Sequence, residues 1–388
     1  MLTRLSSRWL RIAKTQDRRP AGFTITELLV GALVGGFAVS GMLYLITSLV
    51  EADRNDLILT QTQQELADAT EYIATEIREA AFVYPGECID ANPATACVGR
   101  NDPDTGTTPA TDVLDGIGGI PTQETPVLVM WKEAPVPLNK TGYFANGTPS
   151  SLPNCASFPA GSPLIEECQT LRSTRHVFSL VVYTIRRNTT SDGTIWRPDT
   201  DGEARIVRRE MPRYAPSQLL TLTKLFDNNP DPSDFRSWDC EGTCSLSQAA
   251  GARNAVLVSN IDDPTINPAT DPLNLQRVVC PGFATDTNGN SVCAYSPTPV
   301  ATTPTGMNTQ SAFYAWVRVA PGQANPAGNT IGRSSAGIKQ DVYLTLRGNA
   351  SARANQRDIR AGRFMLTQST IATTAGFADR EITSVGSN

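Results

Sequence analysis

From Leu28 to Val50 the chain runs 23 residues without a charge, enough to cross a bilayer core, which needs about 20 helical residues. One acid, Glu27, stands at the head of this run, and a basic stretch precedes it. Residues 1–22 carry six cations (Arg4, Arg8, Arg11, Lys14, Arg18 and Arg19) against a single acid, Asp17. From Phe23 onward, 27 basic side chains face 37 acidic ones, a net of −10. The basic block therefore reads as a targeting device and the remainder as an acidic body. An acidic body argues against nucleic acid as the main partner, because affinity for phosphate backbones comes from cations that neutralise them. With 388 residues, the chain has room beyond the apolar run for one large head or two smaller domains.

A basic stretch before an apolar one also fits an ordinary secretory signal or a membrane anchor. Ala38-Val39-Ser40 is an A-x-A-like triplet, after which a conventional peptidase would cut before Gly41. Glu27 and the length of the basic region count against that reading. The block Gly22-Phe23-Thr24-Ile25-Thr26-Glu27, followed by the uncharged run, resembles the prepilin-type segment of type IV pilins and type II secretion pseudopilins. The resemblance implies that a prepilin peptidase cuts after Gly22, on the cytoplasmic side, and that Phe23 becomes an N-methylated mature N-terminus. Ile25 stands where that family usually has Leu. The helix-breaking Pro that many members carry in the second half of the run is missing here.

Cleavage after Gly22 would create an α-amino group four residues before Glu27. An unpaired carboxylate in a bilayer costs about 2.5–3.5 kcal/mol on insertion scales, so Glu27 needs a cation. The resemblance supplies one: the terminal amine of Phe23 on a neighbouring subunit, a pairing that sets axial register in a bundle of apolar helices. The competing reading is that Glu27 lies at headgroup level and caps the helix, where the macrodipole favours an acid. Gly31 and Gly35, four apart, permit close helix approach, while Gly35-Gly36 is a soft spot in helix propensity; Gly41 is a further small residue in the same run.

Beyond Val50, Leu66, Ala69, Ile73, Ile77 and Ala80 recur at spacings of three and four, with polar residues between them. No Pro occurs between residues 21 and 84, so Phe23–Phe82 reads as one helix, about 90 Å long, closed by Pro85-Gly86. Eight strand-like runs follow, at 126–131, 176–187, 193–197, 204–211, 219–226, 254–261, 313–320 and 341–348, with hairpin loops at 188–193 and 198–202. Antiparallel strands with one face on the helix give an α+β, pilin-like head. Their order is similar to that of the larger-headed, PilW-like or J-type minor pilins and pseudopilins. The domain plan is a leader at 1–22, a transmembrane or filament-core helix at 23–50, an amphipathic continuation at 51–84, and a β-rich head at 85–388. The segments 85–125, 132–170, 227–253 and 262–311 read as insertions on that head, where an individual function would live.

Eight cysteines, an even number, lie in these insertions two by two, as expected of disulfides in an oxidising compartment. Sequence-local pairing joins Cys88 with Cys97, Cys155 with Cys168, Cys240 with Cys244, and Cys280 with Cys293. The rival is zinc at Cys240 and Cys244, but His176 is the chain's only histidine and no second close cysteine pair follows at finger spacing. Asp199–Glu203 and Asp286–Asn290 place oxygen ligands at alternating positions like calcium loops, yet lack the distal Glu and read as hairpin turns.

Enzymatic motifs are missing: no Gly-x-Ser-x-Gly, His-Glu-x-x-His or phosphate-binding glycine loop occurs. His176 reads as a strand-end residue and Asp262-Asp263 as turn formers before Pro264. Arg186, Arg187, Arg205, Arg208, Arg209 and Arg213 form either a basic stripe for DNA or a solvated sheet face balanced by Glu203 and Glu210. The expectation is a non-enzymatic minor pilin or pseudopilin without cofactor or metal. Its implied partners are a prepilin peptidase and other pilin or pseudopilin subunits. It would sit in a bacterial inner membrane with its head outside the cytoplasm, and then in a filament. The alternative is a conventionally exported or membrane-anchored binding or adhesion protein.

Overall fold

The computed structural model describes residues 24–89, 113–114, 117–136, 152–189, 204–214, 216–226, 230, 235, 238, 240, 244–247, 252–262, 280–286, 288–298, 312–318, 339–350 and 365–376. Two compact units divide at Asp56 and Leu57. In the first, residues 25–56 are the N-terminal part of helix α1 (Ile25–Glu79). Thr24 and Glu27 close a capping box that starts the helix: the Thr24 amide donates to the Glu27 carboxylate at 3.2 Å, and the Glu27 amide donates to Thr24 Oγ1 at 3.3 Å. Apolar side chains from Ile25 to Val50 are all exposed, Phe37 by 76%.

In the second unit α1 continues, and the residues it buries include Ile58, Leu66, Ala69, Ile73 and Ile77, the three-and-four spacing read from the sequence. The helix stops at Glu79, three residues short of the expected Phe82. Residues Ala80–Val83 form β1 instead, pairing with Lys132, Trp131 and Met130 of the next strand. Phe82 and Val83 have the aromatic and β-branched side chains that suit a strand, and Ala80 and Val83 are fully buried in it.

The remaining elements are β2 (Glu124–Pro135), α2 (Pro163–Thr174), β3 (His176–Arg187), β4 (Ala204–Pro212), β5 (Arg253–Ile261), β6 (Phe283–Thr285), β7 (Ser291–Cys293), β8 (Tyr295–Thr298), β9 (Phe313–Arg318), β10 (Asp341–Asn349) and β11 (Met365–Thr373). One curled antiparallel sheet runs β1-β2-β3-β4-β5-β10-β9-β8, with β11 attached to β10, and β6-β7 is a separate hairpin. The class is α+β. Side chains hold the curl: the Gln340 amide accepts from Val83 N at 2.9 Å and donates to Val83 O at 2.8 Å, Gly86 N donates to Ser296 Oγ at 2.9 Å, and Thr298 Oγ1 donates to Val127 O.

Around β2, β3 and β4 both faces of the sheet are buried, where the sequence reading expected one. Val181, Tyr183 and Ile185 of β3 pack with Leu66, Ile73 and Ile77 of α1. Leu180 and Val182, on the opposite face, join a second core containing Trp131, Phe226, Phe235, Trp238 and Leu246. Two-sided burial explains why HVFSLVVYTIRR is a nearly unbroken apolar run. Within the second core, Trp131 Nε1 donates to Tyr84 Oη at 2.8 Å, and Tyr84 Oη donates to Phe235 O at 2.7 Å, so the polar tips of both large rings are satisfied.

The expected strand at 219–226 is absent. Residues Pro216–Thr221 form a 3₁₀ helix, and Leu222 follows with φ 53°. Leu219 lies in this helix, and Leu222 and Leu225 follow it. The first two bury beside α2, and Leu225 enters the second core with Phe226. Helix α2 was not anticipated. Its Ser162 cap accepts from Leu164 N at 3.3 Å, with Pro163 opening the helix. The expected strand at 193–197 lies outside the described residues, as do the hairpin loops apart from Asn188 and Thr189.

Candidate functional site

Gly22 and Phe23, the expected cleavage and methylation positions, lie outside the described residues. Glu27 sits in the first turn of α1, where besides the capping bonds its carboxylate accepts from Thr24 Oγ1 at 3.1 Å. The apolar part of α1 is long and hydrophobic enough to cross a membrane. The helix continues without a break through Gly35 and Gly36. Neither glycine, nor Gly31 or Gly41, has any atom within 4 Å of where a Cβ would stand.

The arginines singled out in the sequence form neither a basic stripe nor a solvated face. β4 alternates its residues between the two faces of the sheet, so Arg208 and Arg209, adjacent in the chain, turn opposite ways. Arg208 meets Glu76 of α1 through Nε at 2.8 Å and Nη2 at 2.7 Å. The same carboxylate accepts from Tyr183 Oη at 2.5 Å and from Lys132 Nζ at 3.1 Å. Arg208 also pairs with Glu210 at 2.9 Å, and Lys132 with Glu79 at 2.6 Å. Burial opposes ionisation of Glu76, but the bonds and charge of Arg208, with Tyr183 and Lys132, outweigh it and hold the carboxyl below its ordinary range. Burial, together with the Glu76 charge, pushes the Tyr183 hydroxyl well above its usual value.

On the opposite face Arg209 grips Glu124 in the same two-pronged way, at 2.8 and 2.7 Å. Thr184 Oγ1 donates to Glu124 at 2.7 Å, and Arg186 approaches it at 3.4 Å. Burial raises the Glu124 pKa, and Arg209, Thr184 and Arg186 together bring it below the ordinary value. Arg205 is buried and donates to Asn188 Oδ1. Arg187 is half-buried at the end of β3, and Glu203 lies outside the described residues. Asp262, read from the sequence as a turn former, is fully buried and accepts from Arg347 Nε at 2.9 Å and Nη2 at 2.5 Å.

A third cluster lies beside α2. Glu167 accepts from Arg213 Nη2 at 2.9 Å and Tyr214 Oη at 2.6 Å, and pairs with Lys224 at 2.7 Å. These groups edge an open cleft of about 490 Å³, lined also by Glu133, Thr170 and His176. Burial opposes the Glu167 charge, and Lys224, Tyr214 and Arg213 overcome it to lower the pKa. Both oxygens of this carboxylate are committed to the fold. His176 is exposed at the start of β3, with Nδ1 2.8 Å from Thr174 O.

Disulfides join Cys155 to Cys168, Cys240 to Cys244 and Cys280 to Cys293. Cys88 is disulfide-bonded as well, while Cys97, its expected partner, lies outside the described residues. Asp286 caps the β6-β7 turn: its carboxylate accepts from Asn288 N at 2.9 Å, Asn290 N at 2.7 Å and Asn290 Nδ2 at 3.2 Å. Those bonds, the Asn290 amide first, lower its pKa and tie the carboxylate into a hairpin turn. The other calcium-like stretch, Asp199–Glu203, lies outside the described residues. Among the described residues, no group of three or more His, Cys, Asp or Glu side chains converges as a metal site.

The sequence reading missed Glu76, Glu124 and Glu167 as partners of the arginines. For Glu76 a signal was present: it stands three residues after Ile73 and four before Ala80, on the buried stripe, where an acid needs a cation. No family model, no curated protein and no solved structure matches this chain.

Proposed function

We propose that this chain is a minor pilin or pseudopilin, a non-enzymatic subunit of a type IV pilus-like or type II secretion-like filament. A prepilin peptidase removes residues 1–22 in the inner membrane, and the subunit then enters the filament through its N-terminal helix. The observation that carries the reading is one uninterrupted helix, Ile25–Glu79, whose first half exposes only uncharged side chains from Leu28 to Val50 and whose later turns bury an apolar stripe in the head. In a bundle of such helices the exposed residues leave lipid or water together. Burying Glu27 among them requires a positive partner, which the new Phe23 amine of a neighbour provides. The disulfides fit a head assembled outside the cytoplasm. A large, decorated head suits a low-abundance or tip-proximal subunit, because bulky insertions hinder helical packing of many copies.

A second reading, an exported or membrane-anchored binding protein, draws on the capping box, in which Glu27 is satisfied without any neighbour. Mass spectrometry of the mature N-terminus separates the two. Methylated Phe23 is the expected result. A chain beginning at Gly41, or one retaining Met1, overturns the filament reading.

A further inference from the structure

The main sheet is joined unevenly along its width. β3 pairs with β4 from Ser179 to Arg187, and β10 with β11 from Asp341 to Asn349. Between β5 and β10, among the described residues, the ladder shrinks to one pair, Ile261 with Gly348, prolonged by a bond from Asp262 N to Arg347 O at 3.0 Å. This seam divides the sheet into β1–β5 and β8–β11, and each half is drawn from one stretch of the chain, 80–261 and 295–373. Units of local opening in proteins commonly follow such contiguous stretches.

Elsewhere side chains join the halves. Fully buried Asp262 accepts from Arg347 through Nε at 2.9 Å and Nη2 at 2.5 Å. Where the curl closes, the Gln340 amide holds Val83, Ser296 Oγ accepts from Gly86 N at 2.9 Å, and Thr298 Oγ1 donates to Val127 O. Each such bond makes a modest net contribution, less than a full strand ladder supplies. The cores are divided as well. Among the described residues, the core around Trp131 and Trp238 draws nothing from β8–β11. The halves meet in the core against α1, where Val342, Leu344 and Leu346 of β10 join Leu66 and Ile73.

We propose that β8–β11 opens as one unit while β1–β5 stays folded, with the Asp262–Arg347 pair as the latch at the seam. The end of β10 is the strap that lifts. Gly348 lies so close to α1 that a Cβ there would stand 2.4 Å from Leu66 Cδ1, and Ala350 packs with Ile58. Opening therefore uncovers Ile58 and Leu66, two apolar side chains of α1 that the closed head hides. The device belongs to the head and is independent of how the N-terminus is processed.

The test is native-state hydrogen exchange of the full chain in detergent micelles, read by mass spectrometry at low denaturant. Amides of β9, β10 and β11 are expected to exchange as one group, faster than those of β3 and β4. Val182→Ala, in the core that β8–β11 does not enter, lowers global stability and should speed the slowest β3 and β4 amides about tenfold. It should leave the β10 amides unchanged, because their opening keeps that core intact. Gln340→Ala cuts a link between the halves and should speed the β10 amides about tenfold. Near-UV circular dichroism verifies native packing in both variants, and the unsubstituted chain already decides the first point. β10 amides that share the rate of β3, that follow Val182→Ala, or that ignore Gln340→Ala overturn the proposal.

Discussion

Glu76 of α1 and Arg208 of β4, 132 residues apart, are joined by two hydrogen bonds of 2.8 and 2.7 Å at a buried position between helix and sheet. A two-pronged bond fixes both the distance and the rotation of the partners, so the pair holds this stretch of α1 in one register on the sheet. Apolar contacts alone would tolerate sliding by a turn more readily.

Glu76→Gln preserves shape and removes the charge, leaving Arg208 and Lys132 under-compensated. Removing one partner of a buried pair costs about 3–5 kcal/mol, which in a domain of this size lowers the melting temperature by about 4–7 °C. The exposed Glu71–Arg78 pair provides the contrast. Glu71→Gln should leave the melting temperature close to that of the parent. Calorimetry of both variants checks the difference.

Both acid and alkali should destabilise the head. Glu76, Glu124 and Glu167 all have lowered folded-state pKa values. Their contribution is complete above the unfolded glutamate value near 4.3 and drains away as pH falls through the lower folded values, because the unfolded chain then binds more protons. Tyr183 and Tyr214 have raised values and act in the opposite sense. Their neutral forms support the fold below about pH 10, and stability falls as pH rises beyond it, where the unfolded tyrosines ionise. Denaturant midpoints should form a plateau between about pH 5 and 9, with a decline on each side.

Glu27 has two candidate roles that substitutions can separate. Glutamine serves at this position of a capping box as well as glutamate does, so Glu27→Gln should keep the helix start while abolishing the charge. Thr24→Ala removes the hydroxyl partner and keeps the charge. If pairing with a neighbour's amine governs assembly, Glu27→Gln enters filaments poorly and Thr24→Ala enters them normally. The reverse pattern would falsify the pairing role. Immunoblotting of sheared filaments against whole cells measures it.

Gly119 adopts φ 89°, and a Cβ there would stand 2.4 Å from the backbone nitrogen of Ser247. Its neighbour Gly118 bridges to Ser245, with Leu246 N donating to Gly118 O at 2.8 Å. Gly119→Ala meets a left-handed backbone and a main-chain obstacle together, and should cost more than the roughly 1–3 kcal/mol of conformational strain alone. Equilibrium unfolding tests this, and faster reduction of Cys240–Cys244 would mark the loosening locally.

Periodicity made the scaffold legible. The buried stripe of α1 follows its spacing, and β3 occupies His176–Arg187, the full run of β-branched and aromatic residues. Elements that lack a strong pattern were hidden. α2 is built from PLIEECQTLRST, with two buried residues, Cys168 and Leu171, and its Ser-Pro cap was the one available sign. β11 mixes Thr, Ser and Gln with Met, Leu, Ile and Ala and has a mostly exposed outer face, so it offers little hydrophobic alternation. The alternation of ARIVRRE already sends Arg208 and Arg209 to different faces. Their partners, however, lie 132 and 85 residues away, and no local pattern names them. For the N-terminal segment, the capping geometry of Glu27 was foreseen as one of two roles, while Gly22 and Phe23 lie outside the described residues.

The amide of Gln340 clasps Val83 across 257 residues of sequence. The strand that directly follows the long helix therefore waits for nearly the whole polypeptide to arrive before its outer hydrogen bonds are answered. Until Gln340 is in place, the outward peptide groups of Val83 stand unanswered beside the helix, and late folding of the second half completes what the first half begins.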